Sequence, residues 1–324
     1  MTISSDKKSN LTVAIVIPVF NEAGVLEQTH KKICSVIDEL AYKFMIYYIN
    51  DGSTDETAQS LVTLVRNDAR VRVIELSRNF GHQAAITAGL ANAQGEIVIT
   101  MDGDGQHPPE IIPQMINLVL QGYDIVQTQR VTEDKRISFK KWTSDTFYRL
   151  INRIGGTRME PGTADFRALS RKVVDALNSM PEYHRFLRGM VAWMGYPCII
   201  LPYHPSERFG GQSKYSPHKM VKLALDAIFS FSLVPLYIGV SMGGLMLLLA
   251  FLEMLYVLSF WVSGRQALLA PGWSSLMFIV LIVGGMLMVL LGFIGIYIGY
   301  IFQEVKRRPV YLIKKIYPEQ EQGK

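Results

Sequence analysis

Two aspartates one residue apart, Asp102 and Asp104, stand within residues 97–110, IVITMDGDGQHPPE. Carboxylates this close repel one another unless a cation or strong hydrogen-bond donors lie between them. Hard oxygen ligands with open positions suit Mg²⁺ or Mn²⁺, ions that also bind substrate phosphate. Gly103 and Gly105 leave room for a ligand against the backbone. Alone, an Asp-x-Asp is equally compatible with a Gly-Asp turn whose carboxylates are merely solvated. The elements that carry it must decide.

Residues 97–101 form an apolar run that reads as a short buried strand ending at Asp102. The same pattern recurs along the first half of the chain. Residues 11–18 (LTVAIVIP) are apolar and β-branched and stop at Pro18, followed by Asn21 and Glu22. Residues 44–50 end at Asp51, 71–76 lead to Arg78 and Asn79, and 123–128 end near Arg130. Helical periodicity covers 23–40 and continues to about 93 after the third strand. Ser53 with Glu56 matches a capping box at the start of another helix, and Pro109 suits the first turn of a helix after the acidic motif. Strand–helix alternation at this spacing predicts an α/β fold with a parallel, doubly wound sheet. Such sheets bind ligands at the carboxyl ends of their strands, where every one of these polar residues falls. No GxGxxG follows the first strand and no GxxxxGK[ST] occurs, which argues against a dinucleotide dehydrogenase and a P-loop enzyme.

The second half reads differently. Residues 135–154 are basic, aromatic and amphipathic, and fit either a solvated helix or a surface for headgroups or an anionic acceptor. Residues 162–167 (GTADFR) read as a loop holding an acid and a base. Residues 184–194 read as a helix with Arg185 and Arg188 on neighbouring turns. Residues 208–215 (RFGGQSKY) form a Gly-rich cationic loop, either a connector or a cover for a diphosphate. Residues 217–228 set Lys219 and Lys222 against Met220, Leu223 and Leu225, the pattern of an interfacial helix. Two uncharged stretches, 233–252 and 266–302, are long enough to span a bilayer. Glu253 lies either near the outer end of the first span or toward the bundle interior. Gly239-xxx-Gly243 and Gly295-xxx-Gly299 would allow close helix contact, or are glycines tolerated in lipid.

Charge and composition agree with a membrane protein acting on anions. The 324 residues are 49% hydrophobic and carry a net charge of +5. Nothing supports nucleic acid as the anion. Only Arg265 lies between the spans, whereas Lys214, Lys219 and Lys222 precede them and Lys306, Arg307, Arg308, Lys314 and Lys315 follow. The positive-inside rule puts the catalytic region and both termini in the cytosol of a multi-pass inner-membrane protein, and the basic tail suits anionic lipid. Cys34 and Cys198 form neither a metal motif nor a disulfide framework, as in a reducing compartment. The opening MTISSDKKSN has no apolar core after its charges, so no cleaved signal peptide is expected.

Four motifs in order, IVIPVFNE at 15–22, INDGSTDET at 49–57, LSRNFGHQAAITAG at 76–89 and MDGDGQHPPE at 101–110, resemble the family 2 glycosyltransferases of the GT-A fold. The nearest likeness is to the polyisoprenyl-phosphate glycosyltransferases, dolichol-phosphate mannose synthases and the bacterial undecaprenyl-phosphate glucosyltransferase branch. The resemblance covers about 11–215, and the two spans fit the bacterial branch. A QxxRW motif of processive synthases is absent.

The resemblance implies a GT-A catalytic domain over 1–215; hydropathy and amphipathic pattern add an interfacial helix at 216–231 and two transmembrane helices (about 233–260 and 276–301) with a basic tail over 232–324. It implies that Pro18, Asn21, Glu22, Asp51, Arg78 and Asp102 bind the nucleotide sugar. Asp102, Asp104 and Gln106 would hold Mg²⁺ or Mn²⁺. Arg130, Lys140, Arg208 and Lys214 would receive the acceptor phosphate, and Asp165 and Asp104 would serve catalysis. The implied reaction moves a hexose, glucose from UDP-glucose in the first instance, onto a polyprenyl phosphate with inversion. GDP-mannose as donor is the alternative within the fold, and a non-catalytic membrane scaffold the alternative outside it. Partners are then the nucleotide sugar, the polyprenyl phosphate and membrane lipid, with a homo-oligomer left open.

Overall fold

A computed structural model describes residues 11–131, 162–205, 234–264 and 272–318. It divides into two compact units, one holding the first part of the chain up to Val221 together with Pro309–Lys324, the other Lys222–Arg308.

The first unit is built on an eight-stranded sheet. In chain order its elements are β1 (Thr12–Val19), α1 (Ala23–Ile37), β2 (Lys43–Asn50), α2 (Thr57–Asn67), β3 (Val71–Leu76), α3 (His82–Asn92) and β4 (Ile97–Thr100). A short turn of 3₁₀ helix at Pro109–Ile111 then leads into α4 (Ile112–Leu120), followed by β5 (Ile125–Arg130), β6 (Thr163–Ser170), α5 (Arg171–Ser179), α6 (Leu187–Trp193) and β7 (Cys198–Tyr203). The chain returns to this sheet at its far end as β8 (Ile313–Tyr317). The strand order is β7-β5-β6-β4-β1-β2-β3-β8.

β1 is central and parallel to both β2 and β4. With a strand on each side and helices over the faces, its residues 13–19 are all buried, hence the unbroken apolar run in the sequence. α3 presses against β1 and β2 through Ala85, Ala88 and Gly89. A side chain at Gly89 would collide with Val16 Cγ1 and crowd Ile49, so only glycine permits this approach.

The α/β class expected from the sequence is present, and all five expected strands exist. The sheet, however, is mixed. β6 is antiparallel to both β4 and β5, and β8 is antiparallel to β3. Residues 163–167, expected in a loop, belong to β6, which Thr100 Oγ1, Thr128 Oγ1 and Gln127 Nε2 fasten by donating to the carbonyls of Asp165, Phe166 and Ala164. The basic tail is not free for lipid along its length: residues 313–317 are a sheet strand, and Lys314 pairs with Glu75 at 2.7 Å. The expected capping box is also absent. Ser53 Oγ accepts from Asn21 N–H instead, and Asp55 Oδ1 accepts from Thr57 N–H at the head of α2. α6 begins at Leu187, so Arg188 lies in the helix and Arg185 before it. Lys140, Arg208, Lys214, the amphipathic stretch at 135–154 and the interfacial stretch at 217–228 lie outside the described residues.

The second unit contains α7 (Val234–Val262) and α8 (Trp273–Lys306). Among the described residues one segment of 25 residues, Ile282–Lys306, is long and apolar enough to cross a membrane, with a mean hydropathy of 2.3 over an 18-residue stretch of it; two spans were expected. A side chain at Gly239 would collide with Leu290 of α8, whereas Gly243, Gly295 and Gly299 have no such neighbour within 4 Å among the described residues. Close helix contact therefore rests on Gly239 and not on the paired Gly-xxx-Gly spacing. Glu253 falls in α7, its side chain outside the described ones.

Candidate active site

The carboxyl ends of β1 to β5 form the floor of the site. Met101 N–H still donates to Val16 O, so the parallel ladder runs to the last residue before Asp102. Beyond it the chain turns back across the sheet: Gly103 lies over Pro18 O and Val19 Cγ1, which ties the acidic loop to the end of β1. Asp104 accepts from Gln106 twice, Oδ1 from the backbone N–H at 3.1 Å and Oδ2 from the side-chain Nε2 at 2.6 Å. Gln106 Oε1 in turn accepts from Arg130 Nη1 at 3.5 Å.

The antiparallel β6 delivers Asp165 to this loop. Thr100 is opposite Arg167 in the β4–β6 register, and two further residues along it set Asp165 alongside Asp102. Asp165 is 5% exposed. It accepts from Arg167 Nη2 at 2.6 Å and from Arg188 Nε and Nη2 at 3.0 and 2.8 Å. Burial alone would raise its pKa; Arg188, the neighbouring His82 and Arg167 outweigh burial and hold the carboxyl well below the ordinary carboxylate range. His82 Nε2 lies 3.6 Å from Asp165 Oδ2 and 3.3 Å from Asp102 Oδ1. Burial opposes a charge on His82, but the neighbouring carboxylates of Asp165 and Asp102 prevail and raise its pKa.

Asp102 is held from behind. Its backbone N–H donates to His107 Nδ1 at 2.9 Å, which places the His107 proton on Nε2, 3.7 Å from Asp102 Oδ2. The His107 ring is buried and stacks on Phe166 with centroids 4.8 Å apart. Asp102 Oδ1 is buried and has no hydrogen-bond partner among the described residues, since His82 approaches without hydrogen-bond alignment. A shielded carboxylate oxygen without a donor is a costly arrangement. It fits a divalent cation, as do the hard oxygens of Asp104 beside it. Gln106 completes the oxygen set in composition, but its carbonyl faces Arg130 and its amide faces Asp104.

The other half of the floor, at the ends of β1 to β3, is locked by main-chain contacts. Asp51 is 3% exposed. Its Oδ1 accepts from Phe80 N–H at 2.7 Å and its Oδ2 from Gly81 N–H at 2.9 Å, so it fixes the loop that starts α3 and thereby places His82. Burial raises its pKa, against these two amides. Gly52 (φ 65°) packs so closely on the Arg78–Asn79 backbone that no side chain fits. Asn21, itself at φ 55°, accepts from Thr54 N–H through Oδ1 at 2.8 Å, and Glu22 N–H donates to Thr57 Oγ1. Arg78 lies over the Phe80 ring at 4.1 Å. Pro18 is buried in β1, in register with Ile49.

The structure thus groups Asp102, Asp104, Gln106, Arg130 and Asp165, and places Pro18, Asn21, Glu22, Asp51 and Arg78 along the neighbouring strand ends. His82, His107, Arg167 and Arg188 are additions. His82 and His107 stood in quoted motifs, but nothing in their spacing showed that they flank one aspartate.

The mixed α/β sheet, with carboxylates gathered at its strand ends, has the GT-A-like architecture expected from the sequence. The family model of glycosyl transferase family 2 matches residues 14–177. An uncharacterized glycosyltransferase of Synechocystis is 36% identical over 307 residues, covering 95% of this chain and 96% of that one. The bactoprenol glucosyl transferase of Shigella phage SfII is 35% identical over 309 residues (94% and 98%), and a prophage bactoprenol glucosyl transferase homolog of Escherichia coli is 34% identical over 306 residues (94% and 99%). This chain belongs to glycosyltransferase family 2, and it is an enzyme of the transferase class.

Proposed function

We propose that the protein transfers a hexose, glucose from UDP-glucose, to a polyprenyl phosphate at the cytosolic face of a membrane, inverting the anomeric centre. The observation that carries this reading is the buried, hydrogen-bond-deficient Asp102 Oδ1 beside Asp104 at the end of β4, in a chain that aligns over nearly its whole length with bactoprenol glucosyl transferases.

Asp102 and Asp104 would hold a Mg²⁺ or Mn²⁺, with Gln106 joining if Arg130 releases its carbonyl. When bound, such an ion neutralises a diphosphate leaving group. The chain's own residues supply the rest. His107 fixes Asp102 from behind. Arg130, exposed at the end of β5, offsets the charge of an incoming phosphate. Asp165 stays ionised throughout the neutral range, so it acts by orienting Arg188 and His82 and not by taking a proton. A phosphate acceptor is already ionised near neutral pH, which removes the need for a strong base. Attack in line from the face opposite the leaving group gives inversion in one displacement. Lys140, Arg208 and Lys214 would add cations for the acceptor.

Two membrane crossings fit the chain's path. The polypeptide leaves the sheet after β7 and rejoins it as β8. A sheet lies on one side of a bilayer, so the number of crossings between the two must be even. α7, whose 29 residues carry Glu253 as their one charged group, then pairs with α8, and the positive-inside rule puts the sheet and both termini in the cytosol. A polyprenyl tail cannot leave the bilayer, which gives the anchor its purpose.

Incubating detergent-purified protein with radiolabelled UDP- and GDP-sugars and polyprenyl phosphate tests the reading. Label from UDP-glucose should enter the organic phase only with a divalent cation. Label from GDP-mannose alone would replace the donor assignment, and no transfer from any sugar would overturn the reading.

A further inference from the structure

A second cluster of ligand-type side chains lies between α1 and α2, away from the strand ends that hold Asp102. His30 and Cys34 are four residues apart on α1 and share a face, and Asp68 follows the last residue of α2. His30 Nε2 is 3.5 Å from Cys34 Sγ, Cys34 Sγ is 3.6 Å from Asp68 Oδ2, and His30 Nε2 is 3.6 Å from the same Asp68 oxygen. Zinc bonds of about 2.3 Å to sulfur, about 2.0 Å to nitrogen and about 2.0 Å to oxygen, opened to a tetrahedral angle, set such donors roughly 3.3–3.6 Å apart. The three atoms therefore already form a triangle the size of one tetrahedral face. The remaining ring nitrogen of His30, Nδ1, lies 3.1 Å from the hydroxyl of Tyr48, a fully buried side chain. An outer partner of this kind fixes the ring of a metal-bound histidine and leaves Nε2 for the ion.

We propose that His30, Cys34 and Asp68 bind one Zn²⁺ in a structural site joining α1 to α2, with water as fourth ligand. The donor set separates it from the Asp102 loop, because sulfur and imidazole suit zinc whereas carboxylate and carbonyl oxygens suit Mg²⁺ or Mn²⁺. Binding releases the Cys34 thiol proton to solvent. The charges then balance: the ion against the Cys34 thiolate and Asp68, and Arg70 against Asp38, its partner at 2.6 Å. Arg70 Nη2, 3.4 Å from Cys34 Sγ and 2.8 Å from Asp68 Oδ2, becomes an outer donor to both ligands. The competing arrangement is a metal-free one in which Arg70 alone neutralises Asp68.

Titrating the full-length protein in detergent with Co²⁺ alone separates the two. The proposal expects a thiolate-to-cobalt charge-transfer band saturating at about one ion per chain and bleached by Zn²⁺. The band should persist in D102N and C198S and fall at least tenfold in C34S and H30Q, each variant being checked for native circular dichroism. No band in the wild-type protein, or a band that survives C34S, would overturn the proposal. Should C34S fail to fold, H30Q decides on the same criterion. Because D102N is one of the arms, failure here is distinct from failure of the glycosyltransferase reading.

Discussion

Asp51 and Asp102 both stand just past the end of a strand parallel to β1, yet the protein treats them oppositely. Both oxygens of Asp51 accept main-chain amides of Phe80 and Gly81, and the side chain is shut away from solvent. Asp102 is oriented through its own backbone by His107, while one of its oxygens has no donor among the described residues. A carboxylate satisfied by backbone shapes the floor of the site. A carboxylate denied its donors is held ready for a ligand. Asp165 is a third case, buried against two arginines, and its charge is kept in order to hold theirs.

Substitutions can break this comparison, and the largest effect belongs to the unsatisfied carboxylate. D102N and D104N should each lower kcat by about 10³ or more, since cation stabilisation of a leaving group is worth several kcal/mol. The thermal midpoint of D102N should stay near wild type, because no native hydrogen bond to Asp102 Oδ1 is lost, whereas D104N also disturbs the two hydrogen bonds from Gln106. Scanning calorimetry beside the transfer assay checks both halves.

D165N should do the reverse and reduce stability itself, by about 3–5 kcal/mol, because Arg167 and Arg188 would lose their buried counter-charge. The pH sign follows. Since the folded-state pKa of Asp165 is depressed, its stabilisation is complete above the ordinary carboxylate pKa and disappears only as pH falls through the lower, folded value. Thermal midpoints of the wild type should show no loss from this group between about pH 5 and 8, and kcat/KM should show no ionisation from it there. A rise in kcat/KM through that interval that D165N removes would restore a proton-accepting role.

D51N should cost about 1–3 kcal/mol by leaving a buried amide of Phe80 or Gly81 poorly satisfied. Its activity loss should follow displacement of the loop before His82, so denaturant unfolding and nucleotide KM should worsen together. The smallest effect is expected at the exposed Arg130: R130A should raise the acceptor KM by about tenfold, equivalent to about 1.4 kcal/mol, and leave donor hydrolysis unchanged.

The same contrast explains what the sequence could and could not reveal. Apolar runs ending in Asn21, Asp51, Arg78 and Asp102 marked the parallel strands and their polar carboxyl ends, because burial on both faces writes itself as continuous hydrophobicity. β6 escaped because its short TADFRALS run carries Asp165 and Arg167, charges that are tolerated inside only because they pair with each other and with Arg188. The meeting of Asp165 with Asp102 depends on antiparallel register between strands more than sixty residues apart, which no local pattern encodes. β8 was hidden by Lys314 and Lys315: an edge strand carries charge without penalty, and so read as a tail. His82 and His107 were visible as residues but not as the two flanks of one carboxylate.

Mn²⁺ binding in the presence of UDP, followed by electron paramagnetic resonance on the detergent-purified protein, tests the central claim most directly. The wild-type chain should remove about one more Mn²⁺ from solution than D102N does, with UDP strengthening the wild-type binding alone. Equal Mn²⁺ uptake by the two proteins, with or without UDP, would contradict the assignment of a cation to the end of β4.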